Sequence, residues 1–234
     1  MAEIERLDLV SDLTDFDSVS EGSTSTFTWS SSADLNGTGG GAALFIDANT
    51  LTYGQEAFTW STDNLGIGIW FDPNGLTMAS ADEWRLVRVY DGSASNERCQ
   101  IFVGYDGASY YVKGSYFDDA DSETKTLAYT FDDNPHHFEI NMQRATSDVA
   151  SNGSLRLWLD GSLKETKSAL DIFDIGIPDV FRAGNAGSMD TGTRGTCYLT
   201  EIVLRDDDTR IYDPVSSGVD VVLVDHHLRQ LANN

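Results

Sequence analysis

An all-β, antiparallel sandwich is the fold predicted from three features of this chain. Apolar and polar residues alternate with period two in segment after segment. Bends built on Asp, Gly and Pro close those segments at intervals of ~8–14 residues. No stretch of a dozen residues keeps a helical period, which argues against a parallel βαβ fold.

Composition supports each point. The chain has 234 residues, 40% hydrophobic and 11% aromatic, enough for one well-filled core. Of its 38 acids, 28 are Asp and 10 are Glu, and Gly adds 21. Glu favours helices, whereas the short Asp side chain bonds nearby backbone and favours turns.

The elements follow in order. Phe27 and Trp29 alternate with Thr26, Thr28 and Ser30; Leu44–Ile46 ends at Asp47; Phe58 and Trp60 suggest the next strand. Gly66–Phe71 runs into Asp72-Pro73-Asn74-Gly75, where Pro sets φ and Gly permits a positive one. Trp84–Tyr90 closes at Asp91-Gly92, and Cys99–Gly104 and Ser109–Tyr116 flank Asp106-Gly107, a hairpin signal. Asp118–Glu123 is a loop, and Lys125–Phe131 a strand. Phe138, Ile140 and Met142 share one face of a strand, with Glu139, Asn141 and Gln143 on the solvent face. Leu155–Leu159 and Ser162–Thr166 flank Asp160-Gly161, and Leu170–Ile177 is an apolar connection that could hold one helical turn. Val180–Gly184 and Cys197–Arg205 complete a set of roughly twelve to fourteen strands. Residues 1–214 form the domain; 215–234 add a strand at Gly218–Val224 and a tail, expected to pack on the domain or on a neighbouring subunit.

The formal net charge is -23, and the four Lys and eleven Arg are scattered along the sequence. Binding a phosphate backbone needs clustered cations, so nucleic acid and anionic membrane are not expected as partners. No apolar run reaches the ~18 residues of a spanning helix. The opening Met1–Arg6 is acidic and has no apolar core, so it is expected not to be a secretory signal.

Motifs for catalysis are missing. No G-x-S-x-G, H-E-x-x-H or P-loop pattern occurs, and Gly37–Gly41 reads as a flexible loop. His136-His137 and His226-His227 are adjacent pairs, and neighbours on a strand point to opposite faces. Cys99 and Cys197 read as half-buried free thiols, with a disulfide as the alternative. Calcium is the candidate metal, because Asp carboxylates and loop carbonyls suit it; the candidate ligands are Asp118, Asp119, Asp121 and Glu123, and Asp206, Asp207 and Asp208. Trp70, Tyr105, Tyr110, Tyr111 and Tyr116 lie near loops or out of phase with the core, and could form a platform for sugar faces.

Four segments carry a family resemblance: Asp15-Phe16-Asp17, Pro135–Ile140, Leu157-Trp158-Leu159-Asp160-Gly161, and Gly195–Leu204. In this order they resemble the concanavalin A-like lectin/glucanase superfamily, in its laminin G-like branch, over residues 15 to 212. The resemblance implies two curved sheets in a jelly roll and adds weight to calcium. Glucanases of that superfamily carry E-x-D-x-x-E, two carboxylates on one strand face. No pair of the ten Glu here has that spacing, so no enzyme is expected.

Three functions are weighed. A virion structural or decoration protein reconciles an extracellular type of fold with the lack of a secretion signal; its partners would be other virion proteins or copies of itself. A glycan-binding adhesion or tail-fibre module, extracellular or at a cell surface, is the alternative. A polysaccharide hydrolase comes last.

Overall fold

The structure, a computed structural model, describes residues 3–212 apart from 10, 38, 48, 49, 93–95, 174, 175, 188, 190 and 191. The strand and tail expected after Pro214 lie outside the described residues, as do His226 and His227.

The first half of the chain supplies β1 (Glu3–Leu7), β2 (Ser18–Ser20), β3 (Thr26–Ser30), β4 (Gly41–Ile46), β5 (Thr52–Ala57), β6 (Asn64–Asp72), β7 (Glu83–Asp91) and β8 (Asn96–Tyr105). The second supplies β9 (Tyr110–Phe117), β10 (Glu123–Lys125), β11 (Tyr129–Phe131), β12 (His136–Gln143), β13 (Gly153–Leu159), β14 (Ser162–Leu170), β15 (Pro178–Asn185) and β16 (Gly195–Arg205). The one described helical element is a 3-10 turn at Ser31–Ala33.

Two 8-stranded sheets result. Sheet A has the order β14-β13-β12-β6-β16-β4-β3, with β1 also on β16. Sheet B has the order β10-β9-β8-β7-β15-β5-β2, with β11 also on β9. Every pairing is antiparallel. Late strands sit inside each sheet, β12 beside β6 and β15 between β7 and β5, so the chain crosses between layers as a jelly roll does.

Alternation decides what fills the space between the sheets. Ile67, Ile69 and Phe71 of β6 and Phe138, Ile140 and Met142 of β12 point inward from sheet A. Trp84, Val87 and Val89 of β7, Ile101 and Val103 of β8, and Phe181 of β15 meet them from sheet B. Phe71 anchors an aromatic cluster with Trp84, Phe131 and Phe138, at centroid distances of 6.2, 6.4 and 5.8 Å. The Asp160-Gly161 bend has φ of 50° and 73°, both left-handed, the two-residue hairpin geometry predicted from its sequence.

Four expectations are corrected. Phe58 and Trp60 lie beyond the end of β5: Phe58 N–H donates to Asp179 O (2.8 Å), and both rings enter the core from a loop. Lys125–Phe131 is not one strand, because β10 and β11 are separate short segments, both paired with β9. The described part of Leu170–Ile177 forms no helical turn; Leu170 ends β14. Cys99 and Cys197 are free but fully buried, not half-buried.

Candidate functional site

Cations that are scattered in sequence gather on the outer face of sheet B, which corrects the expectation of dispersed charge. Register explains how. Gln55 of β5 pairs with Arg182 of β15, which pairs with Arg88 of β7. Arg88 pairs with Gln100 of β8, Gln100 with Ser115 of β9, and Ser115 with Lys125 of β10. Directly paired residues point to the same face, so these six polar side chains form one row. Six strands carry it ~24 Å across the sheet.

A second row runs beside it, with Arg85 opposite Phe102 and Phe102 opposite Lys113. Arg85, Arg88, Arg182, Lys113 and Lys125 make up a third of the 15 cationic side chains in the chain.

Each cation lies over an aromatic ring of the same face. The Arg182 guanidinium is 4.7 Å from the Tyr53 centroid and 4.8 Å from that of Tyr90. Arg88 lies 5.0 Å from Tyr90 and Arg85 5.3 Å from Phe102. Lys113 Nζ is 4.7 Å from Tyr111 and Lys125 Nζ 3.8 Å from Phe102. Gly104 makes room for Tyr111, since a Cβ there would meet the phenol ring at 2.2 Å. The floor of the face is buried: Gln100 and Ser115 are 0% exposed, and Ser115 Oγ has no hydrogen-bond partner. The cation tips above stay half-buried.

The charges are partly paired. Glu83 accepts from Lys113 (2.6 Å) and Lys125 (2.5 Å); burial pushes its carboxyl up, but the two ammonium groups outweigh that and hold it below its usual value. Glu97 pairs with Arg88 and accepts from Gln100 Nε2. Arg88 also donates to Ala186 O at 2.8 Å. Arg85 and Arg182 bond instead to neutral groups, Gln100 Oε1 at 2.7 Å and Gln55 Oε1 at 2.8 Å.

The residues singled out for sugar binding are split among four places. Tyr111 lies on the sheet B face, its hydroxyl donating to Glu83 at 3.2 Å. Tyr116 points inward and belongs to the core. Trp70 is on the opposite sheet, 5.3 Å from both His137 and Tyr212. Tyr105 and Tyr110 line a rim cleft of about 480 Å³ with Leu76, Met78, Asp132 and Asp133.

The acidic loops are mostly committed to other bonds, although the buried Glu123 Oε1 has no hydrogen-bond partner. Asp118 Oδ1 accepts from Ala120 N–H (3.0 Å) and Ser122 N–H (2.9 Å), closing its own turn, and Asp119 is exposed. Asp121 reaches Arg98 at 3.4 Å, and Glu123 is half-buried at the edge of sheet B. Asp206 is buried and accepts from Ser61 at 3.4 Å. The Arg205 guanidinium, at 3.0 and 3.1 Å, pulls Asp207 down to about 2, and Asp208 pairs with Arg156 at 2.8 Å. Among the described residues no three His, Cys, Asp or Glu side chains form a group that could hold a metal.

The outer face of sheet A differs in kind, because the chain after β16 folds back over it. Glu139, expected to face solvent, is only 2% exposed beneath this strap. It accepts from Arg210 Nε (3.1 Å) and from the N–H groups of Ile211 (3.0 Å) and Tyr212 (3.3 Å).

Tyr53, Tyr90, Phe102 and the five cations were not singled out from sequence. The signal was present only in part: Arg85 and Arg88 interrupt the buried residues of β7 on either side of a bulge, and Lys113 those of β9, whereas Tyr111 is itself buried. Only the strand order shows that these faces coincide.

Solved structures share the architecture. An endo-β-1,4-glucuronan lyase from the fungus Trichoderma reesei superposes with a TM-score of 0.63 at 11% identity, covering 88% of this chain and 96% of the other. The T. cruzi calreticulin globular domain gives 0.56 at 12% identity, covering 88% of each chain. The fold is concanavalin A-like. The receptor binding domain of botulinum neurotoxin type G gives 0.51 at 12% identity; 82% of this chain covers 43% of that one. At these identities the likeness is one of fold. No protein-family model matches the sequence, and no curated protein matches it.

Proposed function

We propose that this chain is a non-enzymatic glycan-binding module whose ligand lies across the outer face of sheet B. One observation carries the proposal: the in-register row Gln55–Arg182–Arg88–Gln100–Ser115–Lys125 flanked by Tyr53, Tyr90, Phe102 and Tyr111. Sugars offer apolar ring faces to aromatics and hydroxyls to polar side chains; here the half-buried Tyr53 is the ring within reach, and Gln55, Arg182, Arg88, Arg85, Lys113 and Lys125 are the polar groups, held over a buried floor of Gln100, Ser115, Tyr90, Phe102 and Tyr111. Two of the similar structures are named for action on a polysaccharide and for receptor binding. At their identities these names only accord with the reading; the face itself supports it.

Catalysis is left out because the acids on the face serve in ion pairs. Glu83 is held by two lysines and Glu97 by Arg88, and no two Glu of the sequence have the E-x-D-x-x-E spacing of the glucanases. The virion and cell-surface settings both suit such a module, since each presents it to polysaccharide.

The test is retardation of the protein in gels cast with a panel of soluble polysaccharides. Tyr53→Ala, which removes a half-buried ring beneath Arg182, weakens binding about tenfold, in line with the ~1–2 kcal/mol of a stacking contact. Trp29→Ala, on the edge strand β3 of sheet A, leaves binding unchanged. Retention of no member of a broad panel contradicts the reading, and shortening of the retained polysaccharide contradicts its non-enzymatic part.

A further inference from the structure

Resting on that reading and extending it, we infer that the glycan is acidic: a uronic-acid polymer whose carboxylates are held by Arg182 and Arg85. The chain carries a net charge of -23, so a cationic face is maintained against its overall composition. Within that face the cations differ. Lys113 and Lys125 share Glu83, and Arg88 has Glu97. Among the described residues no carboxylate pairs with Arg85 or Arg182.

The way these two arginines are held matters more than their number. Arg85 Nε–H donates to Gln100 Oε1, and Arg182 Nε–H donates to Gln55 Oε1. Each guanidinium is thereby fixed through Nε, while Tyr90 Oη stands 3.3 Å from one terminal nitrogen of Arg182. Rings beneath set the planes: Phe102 for Arg85, and Tyr53 with Tyr90 for Arg182. A guanidinium oriented by a neutral partner and a ring, with terminal N–H groups left over, is organised to receive a planar carboxylate.

Spacing agrees. Arg182 lies opposite Arg88, and Arg85 lies three residues from Arg88 along β7. A bulge in β7 leaves Arg85 and Arg88 two residues apart in register on β8, so strand geometry puts the backbones of Arg85 and Arg182 on the order of 8 Å apart. Alternate rings of an extended 1,4-linked chain repeat at a similar distance and present their carboxylates on one side. Two receiving groups suit a polymer with one carboxylate per ring better than a densely sulfated one, which the net charge of the chain repels more strongly.

The experiment is calorimetric titration of the full chain with polygalacturonate, carboxyl-reduced polygalacturonate and dextran sulfate. Polygalacturonate binds, and its carboxyl-reduced form binds at least tenfold more weakly. Arg182→Gln and Arg85→Gln each weaken polygalacturonate binding about tenfold, as loss of a charge-assisted bond implies. Lys164→Gln, on the exposed edge strand β14, does not. If the acidic and reduced polymers bind equally, the acidic inference falls and the glycan reading stands. If dextran sulfate binds more tightly than polygalacturonate, the carboxylate assignment falls. If neither polygalacturonate nor its reduced form binds and a neutral polysaccharide from the gel panel does, the inference alone fails; if nothing binds, both fail. The three-polymer comparison on the unaltered protein decides the matter even where a variant does not fold.

Discussion

His136 and His137 are neighbours in the chain, yet their protons answer to different surroundings. Burial lowers the pKa of His136, but Asp160 Oδ2 at 2.7 Å and Asp132 Oδ1 at 2.9 Å outweigh it, so the value is raised. His137 points to the other face, under Trp70 and Tyr212, where burial drives its pKa down to about 3. The linkage signs are opposite. The His136 contribution is fully present below its unfolded value of ~6.5 and is lost as pH rises through the raised folded value. The His137 contribution is present above ~6.5 and is lost as pH falls toward its depressed value. Urea melts of His137→Gln are therefore expected to lose less stability between pH 7 and pH 4 than the parent, the difference reaching on the order of a few kcal/mol. His136→Gln destabilises at pH 6 and much less at pH 9; equal effects at both would contradict the ion-pair account. Burial also pushes the Cys99 thiol up to about 12 and raises Cys197, so neither is alkylated at neutral pH until the protein unfolds. Alternation in sequence showed that adjacent histidines diverge. It could not show which would be covered, because the covering residue, Tyr212, lies 75 positions away in the sequence.

Strands were legible wherever both faces kept the period, as in β6, β7, β12 and β13. Phe58 and Trp60 depart from the expected strand because a core position does not require strand backbone. Phe58 and Trp60 fill the interior from a loop, with Trp60 Nε1 donating to Asn64 O at 2.6 Å. The strap over sheet A was hidden for a related reason, since Arg210-Ile211-Tyr212 is too short to carry a period. It nonetheless satisfies a carboxylate that is 2% exposed. Removing the cation leaves that carboxylate without its charged partner, so Arg210→Met lowers stability by about 3 kcal/mol in equilibrium unfolding. Gly68→Val attacks the same contact from below, because even a Cβ there would meet Ile211 Cγ2 at 2.7 Å and His137 Nε2 at 3.0 Å. A neutral outcome for both variants would mean that the strap adds nothing to stability.

Taken whole, the molecule sets a local positive field against a global negative one. At ~0.15 M salt the screening length is ~8 Å, so a polymer lying on sheet B responds mainly to the side chains it touches. At ~0.01 M the length grows to ~30 Å and the net charge of -23 is felt at a distance. Association with an acidic polysaccharide should therefore speed up as salt rises over that range, the reverse of a basic protein's behaviour. Stopped-flow mixing measures this, and a monotonic fall would count against the arrangement. The fold could be read from sequence because period and turn chemistry are local. The site could not, because Arg85 and Arg182 meet only through the placement of β15 beside β7, a pairing 97 residues distant. The most direct measurement is hydrogen exchange by mass spectrometry with and without polygalacturonate. Protection should rise in residues 83–91, 96–117 and 178–185 of sheet B and stay unchanged in residues 136–143 and 206–212 on the far face. Protection confined to the far face or to the rim cleft would contradict the assignment of sheet B as the binding surface.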